Sequence, residues 1–383
     1  MNNPILQPPT LLPQDSSDDL VAIRFDRART ELRHGRAIVV MTADPQAPVL
    51  LVAAIETLSM ARLRWLNLSG AEPRLLLSAE RLHALGWRDA STARSLHVAG
   101  PVTVELLQTL AAVSAGPADP GKLADPQIAS PSMEAALGLA KRARLTPALW
   151  VAELPAARLA ALEAAQVLPI AATDVAHMRR DGQPQLLRVS DAHVPIAAHE
   201  DCTLVLFREL DGDAEHVAVI VGQPDLSQPV RVRLHSSCLT GDLLGSLRCD
   251  CGDQLRRAID VLAEAGGVLL YLAQEGRGTG LANKLRAYRL QDGGLDTIDA
   301  DRHLGFSADE RDFQAAVAML EALGIARIRL LTNNPAKIAS MRRGGIDVVD
   351  RLPLIAPINP HNSRYIRTKH ERAGHLETED EQD

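Results

Sequence analysis

The second half of the chain alternates short apolar segments with longer segments of helical periodicity. The apolar segments predict strands at 203–207, 217–221, 231–234, 268–272, 327–331 and 347–349. The periodic segments predict helices at 254–265, 281–290, 308–323 and 336–343. Strands that alternate with helices are typical of an α/β layer, in which helices cover a sheet. The sequence therefore predicts an α/β fold, with mixed sheets of the α+β kind.

The first half is rich in Ala and Leu and carries few clustered polar residues. It begins with a predicted helix at 25–34, for which Gly35 is a suitable C-cap, and a strand at 37–41. Short strands and helices then alternate to about Val113. The segment 114–133 contains four prolines and two glycines, so we predict a loop or linker there, with structure resuming at 134–145.

The chain has 383 residues, more than the ~100–200 of a typical single domain, so two or three domains are expected. The change in character at 191–198 predicts a boundary between the halves. We predict a disordered leader at 1–19, a first domain at 20–195, a second at 196–372 and an acidic tail at 373–383. The tail contains Glu377, Glu379, Asp380, Glu381 and Asp383.

Composition excludes several classes of partner. The net charge of −7 offers no basic surplus for nucleic acid or an anionic membrane surface, so neither is expected as a partner. Apolar segments such as 38–41 and 268–272 are far shorter than the ~20 residues of a membrane helix. The N-terminus lacks the basic start and apolar stretch of a signal peptide. We therefore expect a cytoplasmic protein with reduced thiols.

Three of the four cysteines are clustered within fourteen residues: Cys238, Cys249 and Cys251. In an extended segment the last two would project to the same side, and a turn at 240–242 can bring the first back toward them. Three thiolates can hold one zinc ion and leave a fourth position for water, as in catalytic sites. The alternatives are three inert thiols, or a closed structural site with Cys202 or His235 as fourth ligand.

Three further polar segments can contribute to a site. The Gly-rich segment 274–280, between a strand and a helix, suits an anion but equally suits a plain tight turn. The segment 332–337 opens a helix after a strand, where α/β sheets bind ligands, although a turn with a solvated lysine is as good an explanation. Ser307 and Glu310 have the spacing of a capping box, whereas Arg311 would oppose the helix dipole and is more easily explained by a site role.

These segments together resemble the motif series of GTP cyclohydrolase II, in order and with compatible spacing, over about 231–375. The motifs are Arg233-Leu-His-Ser-Ser-Cys-Leu-Thr-Gly-Asp242, Leu247-Arg-Cys-Asp-Cys-Gly252, Gln274-Glu-Gly-Arg277, Asn283-Lys-Leu-Arg-Ala-Tyr288, Leu304-Gly-Phe-Ser-Ala-Asp-Glu-Arg-Asp-Phe313 and Leu331-Thr-Asn-Asn-Pro335. The resemblance implies release of formate and diphosphate from GTP, which leaves a diamino-ribosylamino-pyrimidinone phosphate for riboflavin synthesis. It also implies one Zn²⁺ per subunit, Mg²⁺ with the GTP phosphates, and a homodimer.

The resemblance also implies roles for individual residues. Cys238, Cys249 and Cys251 would hold the zinc whose hydroxide attacks the imidazole carbon. Arg311 would be the nucleophile at the α-phosphate, with Asp309 as proton acceptor and Tyr288 assisting ring hydrolysis, although electrostatic stabilisation by Arg311 is a simpler explanation because arginine has a pKa above ~12. The implied GTP contacts are Arg233, Leu234, His235, Ser236, Ser237, Gln254, Glu275, Gly276, Arg277, Thr297, Thr332 and Lys337.

Position 237 departs from the pattern, because many members of the family carry Glu where this chain has Ser237. The missing charge keeps open a paralogue that acts on a related nucleotide in another pathway. A third alternative is a non-catalytic, zinc-stabilised regulator. The net acidic charge and the presence of Tyr288, Asp309 and Arg311 favour the enzyme.

The first half more weakly resembles dihydroxybutanone phosphate synthase, which is often fused ahead of GTP cyclohydrolase II. The likeness lies in Phe25-Asp-Arg-Ala28 and in the segment 35–40. That family needs an acidic metal-binding loop, whereas the segment 42–48 has a single Asp44, and 172–177 lacks the expected glycine motif around His177. We therefore predict that this half binds no magnesium, is catalytically silent, and serves as a scaffold or regulatory domain.

Overall fold

The computed structural model describes residues 17–67, 70, 72–180, 184–210 and 214–376, which form two seven-stranded sheets. The strands are β1 (Ile38–Met41), β2 (Val49–Ala54), β3 (Arg74–Leu77), β4 (Arg94–Val98), β5 (Leu123–Ile128), β6 (Ala148–Leu154), β7 (Leu168–Ala171), β8 (Leu186–His193), β9 (Cys202–Glu209), β10 (Glu215–Val221), β11 (Val230–Ser236), β12 (Gly267–Leu272), β13 (Arg327–Leu331) and β14 (Asp347–Leu352). The helices are α1 (Ser17–Arg33), α2 (Met60–Asn67), α3 (Ala79–Ala84), α4 (Val104–Leu110), α5 (Pro131–Arg142), α6 (Leu159–Ala164), α7 (Ala172–Arg180), α8 (Cys251–Ala265), α9 (Leu281–Asp292), α10 (Thr297–His303), α11 (Gln314–Ala322), α12 (Pro335–Arg343) and α13 (Ser363–Ala373).

The sheet of the first half has the strand order β5-β4-β3-β6-β2-β1-β7. Its pairs are antiparallel except β1 with β7, which are parallel. Both faces are covered, since one apolar cluster packs under α2 to α4 and another under α1, α5 and α7. All six residues of β2 are buried, which explains why this strand is continuously apolar and does not alternate.

The sheet of the second half has the order β14-β13-β11-β12-β10-β9-β8. Strands β11 to β14 are parallel to one another, whereas β8, β9 and β10 add an antiparallel edge. The predicted α/β class with mixed sheets is confirmed. Ser236 pairs with Leu272, so β11 and β12 end at the same edge of the sheet, and the segments that follow them lie side by side.

The segment 114–133 is not the loop that its prolines predict. It contains the edge strand β5, and Pro131 opens α5 with Ser130 as N-cap. Pro126 is tolerated in β5 because an edge strand has one side without a partner, and Pro131 occupies the first helical turn, where its missing N–H costs nothing. Proline content alone therefore misidentified the segment.

The helix predicted at 308–323 begins only at Gln314, so Asp309 and Arg311 lie in an irregular loop. Ser307 N–H does donate to Glu310 Oε1 at 2.8 Å, but no helix follows from that contact. The capping-box interpretation was wrong, and the helix-dipole argument about Arg311 fails with it. Of the other helices and strands of the second half, β8, α10 and α13 were not predicted, and β8 runs into the segment 191–198 that was predicted as a boundary.

The two termini are described in part. Residues 1–16 of the predicted leader and 377–383 of the predicted tail lie outside the described residues, while α1 begins at Ser17. Leu376 N–H donates to Asn333 O at 2.9 Å, which joins the end of α13 to the loop after β13. No helix in the described part of the chain is long and apolar enough to cross a membrane.

Candidate metal and anion site

The three clustered cysteines converge where β11 ends and α8 begins. The Sγ atoms of Cys238, Cys249 and Cys251 lie within 4.8 Å of one another, and those of Cys238 and Cys249 are 3.7 Å apart. A turn of π-helix at Leu239–Leu243 brings the first toward the other two, as predicted. Cys249 and Cys251 meet for a different reason than expected, because Cys251 is the first residue of α8 and does not continue an extended segment.

The surroundings of the sulfurs are those of a metal-binding thiolate group. Gly241 N–H donates to Cys238 Sγ at 3.3 Å, and Lys284 Nζ lies 3.1 Å from the same sulfur. A Cβ on Gly241 would lie 3.0 Å from both the Cys238 and the Cys249 sulfur, so only glycine lets this turn cradle the cluster. Hydrogen bonds from the thiols of Cys249 and Cys251 lower the pKa of Cys238, and the proximity of Cys238 raises the pKa of those two thiols. Three thiolates this close repel one another unless a cation lies between them.

The cluster lacks a fourth protein ligand among the described residues. The Cys202 thiol lies 3.4 Å from His199 O, where it is fully buried, and His235 Nε2 lies 3.1 Å from both carboxylate oxygens of Asp242. Cys202 and His235 are thereby excluded as the fourth ligand of a closed structural site. Three sulfur ligands beside a pocket leave one corner of a tetrahedron open, which is the arrangement of catalytic zinc.

The sulfurs face a pocket with about 680 Å³ of empty space, a volume that includes open solvent. Eleven of the residues implied by the family resemblance line it: Ser236, Ser237, Cys238, Cys249, Cys251, Glu275, Gly276, Arg277, Tyr288, Thr297 and Arg311. Its other lining residues are Arg248, Gln274, Lys284, Ala287, Gln291, Asp301 and Tyr365. The pocket thus lies at the carboxyl ends of β11 and β12, where open α/β sheets place ligands.

The remaining implied residues do not line the pocket. They are Arg233, Leu234, His235, Gln254, Thr332 and Lys337, while Asp309 lies behind Arg311. Arg233 donates to Gln254 Oε1 at 2.7 Å and to Leu331 O at 3.0 Å, and Lys337 Nζ donates to Leu234 O at 2.7 Å. These contacts join β11 to β13, α8 and α12.

Several basic side chains lie close to one another near the pocket although the chain is acidic overall. Burial lowers the pKa of Lys337 well below its ordinary value, and the positive charges of Arg233 and Arg311 lower it further. Burial, with the charges of Lys369 and Arg311, lowers the pKa of His375 to about 3. Burial also lowers the pKa of Arg233 to about 10. Basic side chains in this proximity are typical of a site for a polyanion.

Buried polar atoms around the pocket also point to a ligand. Among the described residues, Arg233 Nε, His235 Nδ1, Ser236 Oγ and Gln274 Oε1 are buried side-chain atoms without a hydrogen-bond partner. Such atoms cost ~1–3 kcal/mol each and call for an explanation. Ser236 and Gln274 line the pocket, so a polar ligand there would supply the partners of these two side chains.

Arg311 and Asp309 form a bidentate pair, with Nε 2.8 Å from Oδ1 and Nη2 2.6 Å from Oδ2. Burial would raise the pKa of Asp309, but the hydrogen bonds and charge of Arg311 hold it below its ordinary value. Burial would in turn lower the pKa of Arg311, and Asp309 raises it above its ordinary value. The pair is therefore ionised at neutral pH.

Tyr288 projects from α9 to the edge of the cysteine cluster. Its hydroxyl lies 3.2 Å from Thr240 Oγ1, and the Arg248 guanidinium lies 5.0 Å from the centre of its ring. Burial raises the pKa of Tyr288, so its hydroxyl is protonated at neutral pH and can donate a hydrogen bond.

Two lysines of the site were missed by sequence reasoning. Lys284 contacts both Cys238 Sγ and Glu275 Oε1, the latter at 2.7 Å, and Lys369 Nζ lies 2.6 Å from Asp250 Oδ1. Helical spacing could have found the first, because it lies four residues before Tyr288 on α9 and shares its face. No local signal could have found the second, since α13 was not predicted.

The fold and the site define a mixed α/β protein with a three-cysteine group able to hold a metal ion beside a pocket lined by Arg248, Arg277 and Arg311. The family model described as GTP cyclohydrolase II matches residues 187–353. A GTP cyclohydrolase-2 of Azospirillum brasilense is 44% identical over 391 residues, covering 96% of this chain and 97% of its own length. One of Xylella fastidiosa (strain Temecula1) is 41% identical over 357 residues, covering 92% of this chain and 87% of its own. The chain belongs to the GTP cyclohydrolase II family.

Shorter relatives exist as well. A GTP cyclohydrolase-2 of Escherichia coli O9:H4 is 51% identical over 193 residues, which is 50% of this chain and 98% of its own length. Among solved structures, a two-domain 3,4-dihydroxy-2-butanone 4-phosphate synthase from A. baumannii is 17% identical with a TM-score of 0.33, covering 87% of this chain and all of that one. At that score the similarity carries no argument about either half.

Proposed function

We propose that the protein hydrolyses GTP to formate, diphosphate and a diamino-ribosylamino-pyrimidinone phosphate, as the first step of riboflavin biosynthesis. One observation carries the proposal: the three-thiol group and the guanidinium groups of Arg277 and Arg311 line the same pocket. A metal site suits opening of the purine ring, and cations suit the triphosphate. The relatives named GTP cyclohydrolase-2, 44% identical over nearly the whole chain, support it.

We propose zinc as the metal, one ion per subunit, held by Cys238, Cys249 and Cys251. The donor set fits, because soft thiolates select zinc and the turn at Gly241 leaves no space for a larger residue. When bound in such a site, zinc acts as a Lewis acid and lowers the pKa of water in its open position to ~7. Mg²⁺ would accompany the GTP phosphates.

Arg311 acts best as a charge that stabilises phosphoryl transfer. A guanidine nucleophile must lose a proton, yet Asp309 raises the pKa of Arg311 and is itself a weak base, because its own pKa is lowered. A preorganised cation needs no such step. Arg277 donates to Ala308 O at 3.2 Å and so holds the loop that carries Asp309 and Arg311. Its positive charge adds to that of Arg311 in the pocket, where the GTP phosphates would bind.

Glu275 is the candidate residue to accept hydrogen bonds from the N–H donors of guanine. Its carboxylate already accepts from Leu239 N at 2.7 Å, from Gly276 N at 3.1 Å and from Lys284. A carboxylate has about four acceptor sites, so one remains for the substrate. Ser237, whose N–H donates to Leu272 O, places a neutral side chain at the pocket where many relatives carry Glu.

The deciding experiment incubates purified full-length protein with GTP and Mg²⁺ and follows formate and diphosphate, while zinc is removed and restored. We expect release of both products with GTP, loss on chelation and recovery with zinc. ATP and ITP in place of GTP test the paralogue, which predicts a preference for another nucleotide. Arg311→Ala with unchanged zinc content should abolish activity; wild-type protein that binds zinc without turnover would instead identify a regulator.

The homodimer and the division into domains at 20–195 and 196–372 remain predictions. We also propose that the first half lacks lyase activity, since Asp44 is exposed and its carboxylate accepts from Gln46 N at 2.9 Å within a turn. Conversion of ribulose 5-phosphate by the full-length protein would contradict this.

A further inference from the structure

A buried polar network joins the two halves of the chain. Ser78 Oγ donates to Gly305 O at 2.8 Å, and Arg81 Nη1 donates to His303 O at 2.9 Å. Gly305 has a φ of +91°, and a Cβ there would lie 2.9 Å from Ser78 Oγ, so the halves meet too closely for any other residue. Both halves of the chain therefore carry residues that this contact requires.

Arg81 makes this contact specific. Only 1% of it is exposed, and its remaining donors bind Leu110 O at 2.8 Å and Thr109 O at 3.4 Å. A buried cation is costly unless its hydrogen bonds are satisfied. Because its carbonyl partners come from both halves, the arrangement fixes how the halves are oriented.

A second set of contacts holds α9, the helix that carries Lys284 and Tyr288. Arg286 Nη2 lies 3.0 Å from Glu56 Oε1 of the first half, and both side chains are less than one fifth exposed. Asn283 Nδ2 donates to Arg144 O at 3.2 Å, and Asn283 is fully buried. The face of α9 that points away from the cysteines is thus anchored on the first half.

A third contact reaches the loop that carries Asp309 and Arg311. Lys141 Nζ of α5 lies 2.6 Å from Glu310 Oε1, and the two side chains are 26% and 21% exposed. Glu310 Oε1 also accepts from Ser307 N, and Glu310 N–H donates to Arg277 O at 3.1 Å. Glu310 therefore ties this irregular loop to the Gly-rich segment, and Lys141 supplies its counter-charge.

We infer that the first half is a positioning domain for the GTP site, and that Lys141 holds the Asp309–Arg311 pair in place through Glu310. The inference rests on the proposed function. Lys141 touches neither the pocket nor the cysteines, so it is a positioning residue. Because half-length relatives share the family name, the chemistry does not require such a domain, and we expect a graded effect, not an absolute one.

The test compares Lys141→Met, Lys141→Arg, Glu310→Gln and the double variant Lys141→Met/Glu310→Gln in the full chain. We expect Lys141→Met to lower kcat for formate release about tenfold, in line with the sensitivity of catalysis to displacements of ~1 Å, with unchanged zinc content and little change in KM. Lys141→Arg should retain activity. In the Glu310→Gln background, Lys141→Met should have no further effect.

The matched control is Lys122→Met, which removes an exposed lysine of the same half. Amide hydrogen exchange at 307–313 provides a readout that needs no activity: it should accelerate in Lys141→Met and not in the control. Equal kcat and equal hydrogen exchange in Lys141→Met and Lys122→Met would overturn the inference. A loss of kcat in Lys141→Met that is fully accounted for by a smaller fraction of folded protein would overturn it as well. If the wild type releases no formate, the proposed function fails, while hydrogen exchange still decides the role of Lys141.

Discussion

Replacing Lys369 by Met tests how the C-terminal helix holds the site. Lys369 Nζ lies 2.6 Å from Asp250 Oδ1, with the side chains 13% and 7% exposed. Asp250 Oδ2 accepts from Gln254 Nε2 at 2.6 Å, and Gln254 in turn accepts from Arg233. Methionine fills the same space without the charge, so the substitution removes one partner of a buried pair and leaves the rest of this chain of contacts intact.

The expected change in the free energy of unfolding depends on which partners Asp250 loses and which it keeps. Removing one partner of a buried ion pair costs ~3–5 kcal/mol, and a hydrogen bond to a charged group contributes ~1.5–3 kcal/mol. Asp250 keeps Gln254 and the nearby charge of Arg233, which also lowers its pKa. We therefore expect a loss of about 2–3 kcal/mol in the free energy of unfolding at pH 7.

Urea unfolding of the zinc-loaded protein measures this loss, with Lys122→Met as the control for an exposed lysine. Burial raises the pKa of Asp250 and Lys369 lowers it, so the net folded-state pKa lies below the unfolded value of 3.8. The stabilisation is therefore present above pH ~4 and is lost as the pH falls further. If Lys369→Met were as stable as Lys122→Met at pH 7, the structural role assigned to this ion pair would be wrong.

Three further predictions concern the metal, the ring chemistry and the anion. Gly241→Ala should sharply reduce bound zinc, measured by metal analysis, because its Cβ would lie 3.0 Å from two sulfurs, whereas the exposed Gly121→Ala should retain zinc. Tyr288→Phe should lower kcat about 10²-fold at unchanged GTP affinity and zinc content, measured by formate release and calorimetry. His375 has a pKa of about 3 in the folded protein. Between pH ~6.5 and ~3 it therefore binds a proton only in the unfolded state, and its contribution to the free energy of unfolding falls as the pH falls. Pyrophosphate should raise its pKa, and an NMR titration without that rise would contradict an anion site.

Much of the second sheet could be predicted because its signals are local. Strand β13 was predicted at its observed limits, and the turn after Cys238 followed from a Thr-Gly-Asp sequence. Apolar segments bounded by glycine and polar residues identify strands that are buried on both faces, whatever lies beyond them. The convergence of the three cysteines was predictable for the same reason, since their spacing is short.

Features that depend on distant contacts could not be predicted. The segment at 307–310 has the pattern of a capping box, yet Glu310 is bound by Lys141, which lies 169 residues earlier in the chain. That contact holds the segment as a loop, so tertiary structure overrides the local preference for a helix. The ion pair of Lys369 with Asp250 spans 119 residues and likewise leaves no local trace.

The same long-range contacts connect the three-cysteine group to basic side chains near the pocket. Asp250 lies between Cys249 and Cys251 of the candidate metal site, and its carboxylate reaches Lys369 directly and Arg233 through Gln254. We therefore predict that a shift of the cysteines on metal binding displaces the carboxylate that Lys369 and Gln254 contact. Under the proposed function, we predict that a bound metal and the GTP phosphates favour one geometry of α8 and α13, because the buried carboxylate of Asp250 links the two helices.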